Sequence, residues 1–434
     1  MNRGRWTALA VVAAAALVVP AVAFAGARQN AVSAVPSSSC PSKISYGGPG
    51  KPDLLIVSDL PLQSASRPQT VQMGQAINFV LKSRGYKAGK FKVGYQACDD
   101  STAQAATWDS AKCQANARNY ARNKGIIGVI GTFNSGCAKL EIPILNRAGV
   151  AMISPANTYV GLTQSGPGTE AGEPNAYYPT RKRNYARVVA ADNFQGAADA
   201  TFAQSTLKLK NVYVLNDGQL YGNGLAVNFQ NAANKLGLKI AGFQKWDPKA
   251  TSYEALGNAI KATGADGVFL SGIVDNQGGK LVKDLRGVLG NGVQILSPDG
   301  FTPVQSVIKD AGTAADNLYV SVAGPPIDRL KGAGKTFVAN FSKTLKGAPV
   351  QVYSAYAAQA ATIMLDSIAK SNGTRASVIA NVFKAKVTNG IMGTFGIDKN
   401  GDTTPGPVTI YQIQSGVQKT FQVITPPLSL VRAV

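Results

Sequence analysis

The stretch VIGTFNSGCAKLEIPILNRAGVAMISPANT, Val129 to Thr158, runs from an apolar segment through a small polar loop into a helix-period pattern that stops at Gly149. A second apolar segment, VAMIS, follows. An apolar run buried on both faces, then a helix, then another such run is one unit of a parallel α/β sheet. The loop Thr132 to Gly136 falls where such sheets hold ligands, at the carboxyl end of a strand and the free N–H groups of a helix N-terminus.

The same rhythm extends outward in both directions. Upstream, DLLIVS from Asp53 reads as a strand, and Met73, Ala76, Ile77, Val80 and Leu81 recur at helical spacing before a stop at Gly85. The strand FKVGY, a helix ending at Gly125 and the strand IIGVIG complete the first series. Downstream come NVYVLND, a helix bearing Leu225, Phe229, Ala232, Ala233 and Leu236, and KIAGF. A helix opened by the capping box Thr251-Ser252-Tyr253-Glu254, the strand DGVFLSG, a helix with Leu281, Leu285 and Leu289, and VQILSPDG finish the second. The fold class predicted is α/β, with two doubly wound parallel-sheet lobes. Gly166 to Asn184, aperiodic and with three prolines, reads as a surface loop between them. Two later helices, in YSAYAAQAATIMLDSIAKS and ASVIANVFKAK, belong against the first sheet, so the chain must cross between lobes more than once.

A chain of 434 residues with 45% hydrophobic content suits two domains. Arg3 and Arg5 precede an apolar run from Ala8 to Phe24 and a small-x-small site at Ala23-Phe24-Ala25, so residues 1–25 read as a cleaved secretory signal peptide. The competing reading is a retained anchor, because the run approaches the ~20 residues that span a bilayer. Residues 26–51, rich in Ala, Ser, Pro and Gly, read as a flexible lead-in. The four cysteines, Cys40, Cys98, Cys113 and Cys137, lack metal spacing and fit two disulfides in an exported chain, with all three pairings open. Cys40 has no aliphatic residue three before it and does not read as a lipid attachment site. The net charge of +21 is spread widely, its longest cluster being RKRNYAR at Arg181–Arg187. This reads as a solvated basic surface and not as a nucleic-acid site.

The absence of histidine excludes Ser-His-Asp and Cys-His catalysis. KGAGKT at Lys331–Thr336 lacks the first glycine of a phosphate loop, and YGNGLA at Tyr221–Ala226 lacks the third of a dinucleotide site. DKNGD, Asp398–Asp402, reads as a polar turn and not a calcium loop. What remains is a set of polar residues at strand ends. Ser135 and Thr158 in the first half offer hydroxyls to a carboxylate; Tyr221 and Asp299 follow strands of the second. An acid opposite an anion-binding loop suits a zwitterion. Singly, these residues read equally as a helix cap, a turn and a Pro-Asp-Gly corner.

VIGTFNSGC followed by MISPANTYVGLT, with VLNDGQLYGNGLA, DGVFLSG, ILSPDG and YSAYAAQAA, resembles the branched-chain amino acid binding proteins of ABC importers, which have the type I periplasmic binding fold. The resemblance spans Asp53 to the C-terminus. It implies that Ser135 and Thr158 bind a ligand carboxylate, that the Ala156 carbonyl and Asp299 receive its ammonium, and that Tyr221 closes over it. Asp299 stands where the family commonly has glutamate. Arg67 and Ile273 stand at positions where relatives have aromatic residues, and Arg67 at the mouth suggests a ligand with an acidic or polar tail. The resemblance further implies hinges near Ala191, Ala323 and Asp398. These divide the chain into an N-terminal lobe, 52–191 plus 324–398, and a C-terminal lobe, 192–323 plus 399–434.

The resemblance makes the expected function extracytoplasmic capture of an amino acid or related carboxylated solute and delivery to a permease. The protein would be a monomer that meets the membrane only through the transporter, with no catalytic residues, cofactor or metal. A sensor reporting its ligand to a membrane receptor is the alternative, and an envelope enzyme using carboxylates a third.

Overall fold

The computed structural model describes Met1, residues 32–404 and residues 406–431. The first sheet has the strand order Lys87–Ala88, Phe91–Asp99, Leu54–Leu60, Ile126–Gly131, Ala151–Ser154, Tyr185–Arg187. All its neighbours are parallel except the short first pair. Every residue of Leu54–Leu60 and Ile126–Gly131 is buried, the cause of their unbroken apolar sequences.

The second sheet runs Lys239–Lys245, Asn211–Asn216, Gly267–Ser271, Gln294–Ser297, Leu318–Ala323, all parallel, and then adds Val408–Gln414 and Val417–Ile424 antiparallel. Both sheets are covered by helices, as expected for doubly wound lobes. Among the described residues no helix is long and apolar enough to cross a membrane.

Helix Val352–Ala369 packs against helix Arg67–Ser83 and the first sheet. It buries 15 of its 18 residues, so its alanine-rich sequence has no polar face to show. In the second lobe, helices Asp192–Thr201 and Leu220–Lys235 approach closely at Gly196, where a Cβ would meet the Phe229 backbone nitrogen at 2.8 Å.

The segments that pass between the sheets are tied to one another. Gly324 N–H donates to the Pro407 carbonyl at 2.6 Å, and the Thr409 hydroxyl to the Gly324 carbonyl at 2.7 Å. Arg187 N–H donates to the Gly401 carbonyl at 2.9 Å.

Several expectations are corrected. Of the supposedly flexible 26–51, the described part is anchored. Val32, Val35 and Cys40 are buried, Cys40 is disulfide-bonded to Cys98, and Ser45 bridges Tyr95. Two buried valines and a cross-link outweigh the loop-like composition. The segment 1–25 that reads as a signal peptide lies, apart from Met1, outside the described residues. The second disulfide joins Cys113 and Cys137, linking helix Ser110–Arg122 to helix Ser135–Arg147.

The capping box at Thr251 does not form. The helix starts at Glu254, whose N–H bonds the Ser252 hydroxyl at 3.2 Å, while Asp284 accepts the Tyr253 N–H at 3.0 Å. The loop Gly166–Asn184 is not wholly superficial, since Glu173, Tyr177 and Tyr178 are buried, with both tyrosine hydroxyls bonded.

Arg187, the last residue of the basic cluster, is fully buried. Its Nε lies 2.7 Å from Asp402 Oδ1, and its Nη1 donates to the Asn157 and Tyr159 carbonyls. DKNGD is indeed a turn built on Asp398, whose carboxylate accepts the Asn400 and Asp402 N–H groups.

Candidate functional site

Two loops at the carboxyl ends of first-sheet strands are laced together. The Ser154 hydroxyl donates to the Thr132 carbonyl at 2.9 Å and accepts the N–H groups of Ala156 and Asn157. Asn157 Nδ2 in turn donates to the Phe133 carbonyl at 2.9 Å. Within this framework Ser135, Ala156 and Thr158 are all buried. Ser135 is the first residue of its helix and not the cap; that position belongs to Asn134, whose side chain makes no cap bond. The Ser135 hydroxyl accepts the Tyr159 N–H at 3.4 Å, a weak bond that leaves its proton free for other use.

From the second lobe, Asp299 opens a 3-10 turn just after strand Gln294–Ser297. Tyr221, in the first turn of helix Leu220–Lys235, donates its hydroxyl to Asp299 Oδ1 at 2.7 Å and accepts the Gly300 N–H at 3.1 Å. Asp299 Oδ2 accepts the hydroxyl of Tyr353 at 2.6 Å. Tyr353 lies on helix Val352–Ala369, which packs on the first lobe, so this bond spans the cleft. Its ring meets Phe133, two residues before Ser135, edge-on at 5.8 Å. The predicted residues of the two lobes are thereby joined through a tyrosine the sequence reading did not single out.

Asp192 completes the group. It begins helix Asp192–Thr201, its N–H donates to the Thr158 carbonyl at 2.8 Å, and its carboxylate is fully buried. Burial pushes its carboxyl well above the usual range, the charge of Asp299 pushes it further, and the Thr158 hydroxyl offsets part of this. Burial also raises Asp299, against the two phenol donors that favour its charged form. Both phenols, Tyr221 and Tyr353, are raised well above their ordinary value by burial and by the Asp299 charge.

Arg67 is not part of this assembly. It is exposed at the start of its helix, and among the described residues its guanidinium has no hydrogen-bond or ion-pair partner. Two residues on, Gln69 is fully buried and bonds Thr302 of the other lobe at 3.0 Å. Ile273 is buried, and its N–H donates to Asp217.

Sequence reasoning missed Gln69, Asp192, Thr302 and Tyr353. Asp192 had one local signal, an acid heading a helix with four residues between it and the preceding strand. Tyr353 and Gln69 had none, because only the fold of distant segments brings them here.

The arrangement offers carboxylates and hydroxyls facing one another across two lobes, suited to holding a small polar guest. The sequence profile of the periplasmic binding protein family matches residues 80–418. The leucine-, isoleucine-, valine-, threonine- and alanine-binding protein of Pseudomonas aeruginosa is 23% identical over 302 residues, covering 70% of this chain and 75% of its own.

Among solved structures, a leucine-binding protein of Thermotoga maritima superposes with a TM-score of 0.75 at 22% identity, over 86% of this chain and 99% of its own. A branched-chain amino acid transporter substrate-binding protein of Streptococcus pneumoniae, in complex with isoleucine, does so with a TM-score of 0.73 at 18% identity, over 86% and 99%. With its two lobes and the matched span of sequence, the chain belongs to the periplasmic binding protein family.

Proposed function

We propose that the protein is an extracytoplasmic solute-binding component of an ABC importer, taking an amino acid or related small carboxylated solute between its lobes and passing it unaltered to a permease. The observation that carries this reading is the convergence of Tyr221, Asp299 and Tyr353 between the lobes, beside the laced loops that present Ser135 and Thr158. Asp299 would receive the ligand ammonium with the Ala156 carbonyl, and Ser135 and Thr158 its carboxylate, through charge-assisted hydrogen bonds. Family membership supports the same reading.

The decisive experiment is a thermal-shift screen of amino acids and small acids, since a ligand that binds only the native state raises its melting temperature. A hit should shift the wild type and not Asp299→Ala or Ser135→Ala. Shifts that survive both substitutions would remove the site.

A further inference from the structure

Gln69 enters the interlobe region from the first turn of helix Arg67–Ser83 and is wholly buried. Its Nε2 donates to Thr302 Oγ1 at 3.0 Å. The Thr302 hydroxyl has a single proton, and the Asp299 main-chain carbonyl takes it at 2.7 Å. Thr302 can therefore only accept from Gln69. This fixes the amide with nitrogen toward Thr302, and its Oε1 is left a buried acceptor with no donor among the described residues. A buried acceptor left unmatched is destabilising, and a ligand donor that reaches it gains accordingly.

The surroundings supply no donor to it. Tyr221 and Tyr353 have given their protons to Asp299. The buried Asp192 carboxyl, pushed toward its protonated form by burial and facing the Thr158 hydroxyl, makes no hydrogen bond to Gln69 among the described residues. Arg187, the basic side chain with a coulombic effect on Asp192, is committed to Asp402 and to main-chain carbonyls. Arg67 points away. With the α-ammonium assigned to Asp299 and the Ala156 carbonyl, Gln69 Oε1 is left an acceptor without a donor. An aliphatic tail would seal Gln69 Oε1 against methyl groups.

We propose that the ligand is an amino acid whose side chain ends in an N–H donor, a carboxamide or an ammonium, received by Gln69 Oε1. This rests on the amino acid reading of the cleft given above. A site with a buried hydrogen-bonding group discriminates strongly against an analogue that leaves the group unpaired.

The test is titration calorimetry on the ligand-free full chain with shape-matched pairs: asparagine against leucine, glutamine against methionine, lysine against norleucine. Carboxamide and ammonium arms distinguish the two donor types. The expected result is at least one pair in which the donor-bearing member binds roughly tenfold or more tighter. Gln69→Met should erase that preference. Gln69→Glu, which keeps an acceptor, should retain it and favour lysine, a control should the methionine variant fold poorly. Equal affinities within every pair, or preference for leucine and methionine, would overturn the inference while leaving the amino acid reading intact. Binding of no amino acid would overturn both.

Discussion

The carboxylate of Asp275 accepts both the main-chain N–H and the hydroxyl of Ser66, each at 2.8 Å. Ser66 immediately precedes the helix Arg67–Ser83 of one lobe, and Asp275 follows strand Gly267–Ser271 of the other. With Ser306, whose hydroxyl bonds the Ala65 carbonyl at 2.7 Å, this clasps the lobes at the cleft rim. Two charge-assisted bonds contribute on the order of 2–3 kcal/mol, enough to move an open–closed equilibrium by one to two decades. Asp275→Ala should therefore enlarge the radius of gyration of the ligand-free protein in solution scattering and weaken any cleft ligand about tenfold or more. An unchanged scattering curve would show that the clasp does not hold the lobes.

The second prediction concerns carboxyls inside the first lobe. Asp59 and Glu141 are fully buried and face one another, and Asn116 Nδ2 donates to Asp59 at 3.0 Å. Burial raises Asp59 to about 6, and burial together with the Asp59 charge raises Glu141 well above its ordinary value. A carboxyl raised on folding is held protonated in the native state at a pH where the unfolded chain has released its proton, so stability falls as pH rises from about 4 through 6. Glu141→Gln should raise the melting temperature by several degrees at pH 8 and have little effect at pH 4. An equal effect at both would contradict the assignment.

The third prediction contrasts two ion pairs. Arg187 and Asp402 are buried, and Thr163 donates to the same carboxylate at 2.9 Å. Lys139 and Glu170 form an exposed pair. Asp402→Ala leaves a buried guanidinium without its anion and should cost about 3–5 kcal/mol in denaturant titration. Glu170→Ala should cost less than about 1 kcal/mol. The Arg187 charge holds the Asp402 carboxyl below its usual range, after the opposing effect of burial, so the stability this pair provides is present at neutral pH and lost only as pH falls into the acid range.

A fourth prediction follows from Gly300, beside Asp299. A Cβ there would collide with the Gly272 main-chain carbonyl and lie 2.8 Å from the Tyr221 ring. Gly300→Ala should displace Tyr221 from Asp299 and abolish ligand-induced thermal shifts. The protein should remain folded by circular dichroism, because the two sheets are untouched.

The parallel strands and their helices were legible because continuous burial writes unbroken apolar runs, as in Ile126–Gly131, and one-sided burial writes helical spacing, as in Met73–Leu81. Strand Val417–Ile424 was not: its exposed positions include Val417, Phe421 and Val423, so hydrophobicity does not mark its buried side. Tyr221 and Asp299 could be named because each sits just after a strand, a local property. Gln69 and Tyr353 reach the same place from helices whose local pattern says only that they are packed. Arg67 is marked only by its position along the chain, and a step of two residues, just over half a turn of helix, puts Gln69 on the buried face instead.

Helix Val352–Ala369 completes the core of the first lobe, yet in chain order it follows every parallel strand of the second. A growing chain must therefore emerge almost to its end before Met73, Ile77 and Val80 can be covered. Until then those side chains form a greasy face on an unfinished half, which a holding chaperone or an unfolded-state export route would have to shelter. A fragment cut after Ala323 would keep that face uncovered permanently and should aggregate.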